Sequence, residues 1–179
     1  LLVELLGDDD KARFAVALRM AHELAGDKVK QALIEALDDL PRSRRALVIY
    51  VLGNLGGDEA LPAVLKAATS GEPEIQVPAV RVLATLGDAS AVPVLLEAAA
   101  DADEELASAA RESLAELPGD DVDAVLAEKL AGSAGAQRLV LIELAGQRGI
   151  ETAVPALLKL ADNADQTLRS TAIAALGLT

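Results

Sequence analysis

The sequence predicts an all-α fold, a right-handed superhelix of stacked helical hairpins. Three observations predict it: an internal repeat with a period of about 31 residues, two apolar stripes at helical spacing in each repeat, and a shortage of aromatic side chains. The chain has 179 residues, of which 52% are apolar and 25% charged, which is enough apolar material for a packed core. Only Phe14 and Tyr50 are aromatic. The core is therefore expected to consist of Leu, Val, Ile and Ala, and helices lined with such residues pack closely.

The internal repeat appears in two series of residues. Leucines near the ends of the second helices recur at 31-residue spacing or within one residue of it, at Leu52, Leu83, Leu114, Leu144 and Leu176. Because the last two intervals are 30 and 32, we expect one residue to be lost before Leu144 and regained in the loop 146–149. Prolines mark the first helices, at Pro62, Pro93 and Pro155. We therefore predict a single repeat array over residues 1–179, a fragment of a longer array, with about six repeats near 1–26, 27–57, 58–87, 88–119, 120–149 and 150–179.

Each repeat is predicted to be a helical hairpin, because its apolar residues fall at helical spacing twice. The first helices are expected near 1–7, 28–39, 59–69, 90–101, 121–131 and 151–162. The second helices are expected near 11–25, 42–55, 73–86, 104–117, 134–145 and 165–178. Aspartates are predicted to cap the first helices (Asp58, Asp88 and Asp120), acidic turns such as 101–105 and 162–165 to precede the second helices, and glycines to end them (Gly26, Gly56, Gly87 and Gly146).

Residues 58–67 and 88–97, each preceded by a Leu-Gly pair, resemble the short HEAT-like repeats that also occur in phycobilisome-lyase subunits. The resemblance extends over the whole chain and implies a scaffold whose second helices line a concave, partner-binding surface. The family's arginine early in the second helix matches Arg45 and Arg169, while Gln76, Ala107 and Gln137 occupy that position in other repeats.

The helical register predicts which residues of the second helices face outward into this groove. The set is apolar for an outward face, and an exposed apolar patch is typical of an interaction site, although curvature of the superhelix would bury the same residues. The predicted partner-binding residues are Arg19, Glu23, Leu47, Tyr50, Asn54, Val77, Arg81, Thr85, Glu112, Arg138, Leu139 and Ile142.

The predicted function is a non-catalytic interaction scaffold that binds a protein or peptide in this groove, and the formal charge of −13 favours a basic partner. No cofactor or metal site is expected, since the chain has no cysteine and His22 is its only histidine. Nucleic acid is not expected either, because the basic cluster 42–45 is small and stacking aromatics are missing. The longest apolar stretch, residues 46–52, is too short for a membrane span, and a cytoplasmic location is expected.

Two other functions remain open at this stage. The family resemblance allows a lyase-type or chaperone-like subunit that holds a tetrapyrrole or another flat ligand, for which Tyr50 is almost the only aromatic contact available. A DNA-repair enzyme on a HEAT-like scaffold would need a basic concave face with aromatic side chains.

Overall fold

The computed structural model describes residues 2–179, which contain twelve α-helices, three short 3-10 turns and no strand. The helices are α1 (Leu2–Gly7), α2 (Lys11–Leu24), α3 (Asp27–Ala36), α4 (Arg42–Leu55), α5 (Leu61–Ala68), α6 (Pro73–Leu86), α7 (Val92–Ala98), α8 (Glu104–Glu116), α9 (Asp120–Gly132), α10 (Gly135–Gln147), α11 (Val154–Ala161) and α12 (Gln166–Leu176). The 3-10 turns are Leu37–Asp39, Ala89–Ala91 and Glu151–Ala153. The predicted all-α solenoid class is confirmed, since every predicted helix is present.

The chain divides into two compact units, Leu1–Leu86 and Gly87–Thr179. Their boundary falls within one residue of the predicted boundary between the third and fourth repeats. In unit 1 the second helices follow one another, with α2 packed on α4 and α4 on α6, and α5 covers α6. In unit 2 the second helix α10 lies between α8 and α12, while the first helices pack as α7 on α9 and α9 on α11. Each unit is thus a stack of helical hairpins.

The second helices begin at a recurring acidic turn. Asp10, Asp103 and Asp165 each accept hydrogen bonds from backbone N–H groups two residues on, at 2.7 to 2.9 Å, and thereby cap α2, α8 and α12. The residue two positions before each cap accepts from the cap's own N–H, and these residues are Asp8, Asp101 and Asn163. That hydrogen bond and the Arg13 guanidinium hold the pKa of Asp8 below its ordinary value. The three turns are separated by whole multiples of the repeat period, and the expected capping of second helices by acidic turns is confirmed there.

Predicted caps of the first helices have mixed outcomes. Asp88 accepts from the N–H of Ser90 at 2.8 Å and caps the 3-10 turn Ala89–Ala91 that leads into α7, while Ala91 is the N-cap of α7 itself. The prediction for Asp58 is wrong, because α5 begins later and Ala60 is its N-cap. The prediction for Asp120 is also wrong, because Gly119 is the N-cap of α9 and Asp120 is the first residue of that helix.

The repeat period is unchanged in α10, so the predicted loss of a residue before Leu144 is wrong. Helix α10 continues to Gln147, and Gly146, predicted to end it, lies inside the helix. The chain instead leaves α10 through Gly149, whose φ of 63° is left-handed, and the N–H of Ile150 bonds Ala145 O at 2.9 Å. The residue equivalent to Leu114 is therefore the buried Ala145.

Neighbouring second helices approach each other at a glycine. A Cβ added to Gly53 of α4 would lie 2.7 Å from Val82 Cγ1 of α6, and a Cβ added to Gly146 of α10 would lie 2.8 Å from Ala175 Cα of α12. Both contacts join residues 29 positions apart. The glycines let two helices pack at a distance that a larger residue would not allow.

Two arginines bind the ends of helices in an earlier repeat. Arg148 donates to the carbonyl oxygens of Leu114, Ala115 and Leu117 at 2.8 to 3.0 Å, and its Nε donates to Asp123 at 2.6 Å. These carbonyls lie at the C-terminus of α8, where backbone acceptors have no partner within the helix.

Arg44 does the same in unit 1, since it donates to the carbonyl oxygens of Leu6, Asp8 and Asp9 at the end of α1. Its guanidinium lies over the Phe14 ring, 4.6 Å from the centroid. Both arginines therefore stabilise the stacking of hairpins by satisfying carbonyls that the preceding hairpin leaves free.

Replacing Gly146 by Ala is expected to lower the free energy of unfolding by about 1–3 kcal/mol, because the added methyl group meets the backbone of Ala175. Gly132→Ala is the matched control, since Gly132 also lies in a helix but has no atom within 4 Å of its added Cβ. The control should be neutral or slightly stabilising. Urea denaturation followed by circular dichroism measures both, and equal effects would contradict the close approach of α10 and α12.

Replacing Arg148 by Met keeps the aliphatic stem and removes the donors. We expect the free energy of unfolding to fall by about 2–4 kcal/mol. The reason is that three backbone carbonyls lose their hydrogen-bond donor and Asp123 loses its largely buried ion-pair partner. Arg81→Met, at an exposed position of α6, should change it by no more than about 0.5 kcal/mol. Thermal unfolding of the two variants side by side tests the difference, and a small effect of both would rule out the role assigned to Arg148.

Candidate functional site

The outward positions of the second helices form the candidate site. Leu47 and Tyr50 are 49% and 61% exposed, as expected. Val77 and Ile142 are only 7% and 0% exposed, so the expectation that they face outward is wrong. The remaining eight predicted residues are all exposed or half-buried: Arg19, Glu23, Asn54, Arg81, Thr85, Glu112, Arg138 and Leu139.

The error at Ile142 follows from the repeat register. With the repeat period unchanged, the positions equivalent to Glu112 and Glu116 are Glu143 and Gln147, and both are exposed. Ile142 directly precedes Glu143 and therefore lies on a different side of α10. That side is buried, because α10 packs between α8 and α12. Sequence reasoning missed Glu143 and Gln147, although counting one repeat period on from the two glutamates would have found them.

The same register gives Arg138 a structural role. Arg45 lies three repeat periods before Arg138, and Arg169 lies one period after it. Each of these two arginines donates to a backbone carbonyl in the loop before its own helix. Arg45 Nε donates to Leu40 O at 2.7 Å, and Arg169 donates to Asn163 O at 2.8 Å. Arg138 likewise donates to Ser133 O, so its guanidinium holds the loop before α10. The expected position of this residue at Gln137 is therefore wrong by one residue.

In unit 1 the outward residues form three rows across α2, α4 and α6. We call this set the unit 1 face. Equivalent residues on adjacent second helices lie side by side, about 8–10 Å apart. The rows are Val16, Leu47 and Pro78; Arg19, Tyr50 and Arg81; and Glu23, Asn54 and Thr85.

The unit 1 face combines apolar surface with two arginines. Val16 is 39% exposed and continues the apolar surface of Leu47 and Tyr50. Tyr50 lies between Arg19 and Arg81 in its row. Arg19 pairs loosely with Glu23 at 3.8 Å, and both side chains are well exposed. An exposed pair of this kind contributes little to stability, so these charges are available to a partner.

In unit 2 the outward residues of α8 and α10 are mostly acidic. We call the set Glu105, Glu112, Glu116, Leu139, Glu143 and Gln147 the unit 2 face. The contrast extends to the units as wholes. Residues 1–86 carry ten basic and thirteen acidic side chains, a formal charge of −3, whereas residues 87–179 carry six and sixteen, a formal charge of −10. Most of the negative charge of the protein therefore belongs to unit 2.

Other sites considered from the sequence have little support in the structure. His22 is exposed near the end of α2, and no group of three or more metal-ligating side chains is found among the described residues. Phe14 is buried beneath Arg44, which leaves Tyr50 as the exposed aromatic ring for a flat ligand. No helix between residues 2 and 179 is long and apolar enough to cross a membrane.

The different burial of Tyr50 and Ile142 predicts different effects of the same substitution. Ile142→Glu places a carboxylate in a closed core and is expected to cost about 4 kcal/mol of unfolding free energy or to prevent folding. Tyr50→Glu should change it by about 0.5 kcal/mol or less. Denaturation midpoints of the two variants test this, and an Ile142→Glu variant as stable as Tyr50→Glu would show the register of α10 to be wrong.

Comparison with known proteins agrees with the fold. A family model of HEAT repeats matches residues 31–115. Human deoxyhypusine hydroxylase, in complex with glycerol, is similar with a TM-score of 0.54 and 16% identity, over 99% of this chain and 94% of that one. An engineered protein from the Northeast Structural Genomics Consortium is similar with a TM-score of 0.51 and 21% identity, over 98% and 94%.

At these identities the two structures are evidence for the fold alone, and the activity of the human enzyme is stated for that protein only. A comparison with curated proteins gives no match. The family model matches HEAT repeats in residues 31–115, and the regular stack of helical hairpins over the described residues is a HEAT-like repeat fold.

Proposed function

We propose that this chain is a non-catalytic scaffold that binds a segment of another protein across its second helices. The observation that carries the proposal is the exposed apolar surface of Val16, Leu47 and Tyr50 on two adjacent helices. Burying such side chains against a partner is favourable, at roughly 25 cal/mol per Å² of apolar area. Tyr and Arg are also the residue types that contribute most often to binding energy at interfaces, and the middle row of the unit 1 face contains both.

The rows indicate what kind of segment fits unit 1. Adjacent second helices lie about 8–10 Å apart, and an extended chain advances about 3.3 Å per residue, so the segment would meet the next helix about every third residue. If an apolar side chain of the partner segment contacts Leu47 and Tyr50, the segment residues three positions before and after it would lie near Arg19 and Arg81. Acidic residues at those positions complement the arginines.

The unit 2 face favours the opposite charge. Its glutamates and the formal charge of −10 in this unit would attract a segment rich in Lys or Arg and accelerate its association at low salt. The expectation of a basic partner therefore applies to unit 2, while unit 1 favours an apolar residue between acidic ones. A single partner that uses both units would carry both patterns in separate stretches.

Selection of random twelve-residue peptides displayed on phage against the intact chain tests the proposal. We expect enriched peptides to carry an aromatic or aliphatic residue with Asp or Glu three residues away. Their affinity should fall at least about tenfold in the variant Leu47→Ser with Tyr50→Ala, because the apolar surface that they bury is removed.

The control is Leu158→Ser on α11, where a leucine of similar exposure, 55%, lies outside both faces. This variant should bind the selected peptides with unchanged affinity. Peptides that bind the Leu47/Tyr50 variant as well as the original chain, or that lose binding to Leu158→Ser, would contradict the assignment of the unit 1 face.

A further inference from the structure

Unit 1 has an open cleft on the side of its first helices, and none of the residues in the outward rows of α2, α4 and α6 lines it. It lies between α3 with its 3-10 turn Leu37–Asp39 on one side and α5 on the other, and its volume is about 530 Å³. Ligand sites in proteins are usually clefts of roughly 300–1,000 Å³ that are mostly apolar with a few polar groups. The cleft meets both conditions.

The floor of the cleft is aliphatic. Three isoleucines line it, Ile34 on α3, Ile49 on α4 and Ile75 on α6, and Leu37 and the alanines of α5 complete the surface. Two polar groups in the walls of the cleft, Glu59 and Thr69, are already bonded, the carboxylate to Lys30 and the hydroxyl to backbone carbonyls of α5. No aromatic ring, histidine or metal-ligating cluster is among the lining residues. A flexible aliphatic chain fits such a surface, because it gains the free energy of leaving water without any polar group to satisfy in the floor.

One end of the cleft is positively charged. Arg45, Lys66 and Asp38 line this end. Glu72 lies 4.0 Å from Arg45 and also pairs with Arg42, so three cations face two carboxylates here in a protein whose overall charge is −13. Lys66 Nζ bonds both oxygens of Asp38 at 2.8 and 2.9 Å, and this ammonium holds the pKa of Asp38 below its ordinary value. Arg45 is fixed by its bonds to Leu40 O and Asp38 O. The local excess of one positive charge complements a single anionic group.

The ion pair at this end is easy to open. The side chains of Lys66 and Asp38 are 71% and 75% exposed, and ion pairs so accessible to water contribute little to stability. A carboxylate that enters with an apolar chain behind it would exchange with Asp38 for the Lys66 ammonium. Ser70 also lines this end, and its hydroxyl, which accepts from the N–H of Glu72, has a proton to donate.

We propose that this cleft binds an aliphatic monocarboxylate, with the hydrocarbon chain along Ile34, Ile49 and Ile75 and the carboxylate on Lys66 beside Arg45. This site is separate from the partner-binding faces and does not depend on the proposed scaffold function. The smaller cleft beside α7 in unit 2, of about 340 Å³, does not match it, because that cleft is lined largely by polar groups and Glu97 takes the place of Lys66 in its repeat.

The six isoleucines of the chain offer a direct readout. Three line the cleft, and the other three, Ile142, Ile150 and Ile173, belong to unit 2. Sodium decanoate, added to the intact chain below its micelle-forming concentration, should shift the methyl resonances of Ile34, Ile49 and Ile75 and leave the other three in place. Decyltrimethylammonium has the same chain length and the opposite charge. It should bind at least about tenfold more weakly, because its cationic head group cannot pair with Lys66 and is repelled by Arg45.

Two substitutions at the ion pair are expected to act in opposite directions. Lys66→Gln should weaken decanoate binding several-fold because the ammonium is lost. Asp38→Asn should strengthen it several-fold, because the carboxylate that competes for Lys66 is removed. Lys159→Gln, which changes an exposed lysine at the same repeat position on α11, should have no effect. Titration calorimetry measures all three affinities.

A substitution that fills the cleft completes the test. Ala67→Leu should abolish decanoate binding while the circular dichroism signal and the urea unfolding midpoint stay close to those of the original chain, which would show that unit 1 remains folded. The proposal is overturned if all six isoleucines shift alike, if none shifts, or if decyltrimethylammonium binds as tightly as decanoate. The proposal is also overturned if Lys66→Gln and Asp38→Asn weaken decanoate binding equally, because the Lys66–Asp38 ion pair would then have only a structural role.

Discussion

The close approach of neighbouring second helices is the constraint on which the structure depends. Gly53 meets Val82 and Gly146 meets Ala175, and in each case the two residues are 29 positions apart. Because both contacts have the same offset, hairpins dock on one another with the same register inside each unit. Ala84 and Ala115 occupy the equivalent positions in the repeats between them. Small residues at one position of the repeat therefore set the spacing of the second helices within a unit and, with it, which side chains remain at the surface.

The surface that this packing leaves differs between the units. The outward rows of unit 1 present Tyr50 between two arginines and Leu47 in the adjacent apolar row, while those of unit 2 present glutamates. The backbone arrangement of the rows is the same, since each row is generated by the same repeat period. The chemistry of recognition thus lies in the residues placed on a regular frame, which is how one fold can serve partners of different charge.

Arginines take two different roles in the same frame. Arg44 and Arg148 each satisfy carbonyls at the end of an earlier helix, where backbone acceptors would otherwise be unpaired. Arg45, Arg138 and Arg169 close the loop before their own helix. An arginine suits both roles because its guanidinium carries five donors in a fixed plane and reaches several carbonyls at once. The two arginines of the unit 1 face, Arg19 and Arg81, instead keep their charges available at the surface.

The sequence by itself determined the helices of each repeat. The period of apolar residues, the prolines in the first turns and the acidic turns before α8 and α12 are local signals, and they act through backbone hydrogen bonds within a few residues. The exposure of Leu47 and Tyr50 was also predictable, since α4 obeys the period without ambiguity.

Only the tertiary structure decided the rest. The register of α10 depended on whether Leu144 or Ala145 is the residue equivalent to Leu114, and both are apolar, so the hydrophobic pattern did not distinguish them. A shift of one residue turns a helix by about 100°, which is why Ile142 was expected at the surface and Glu143 was overlooked. The cleft of unit 1 was hidden for a related reason. Its lining comes from four helices and a turn, and their distance from one another is fixed by packing across the repeats, which no local pattern in the sequence encodes.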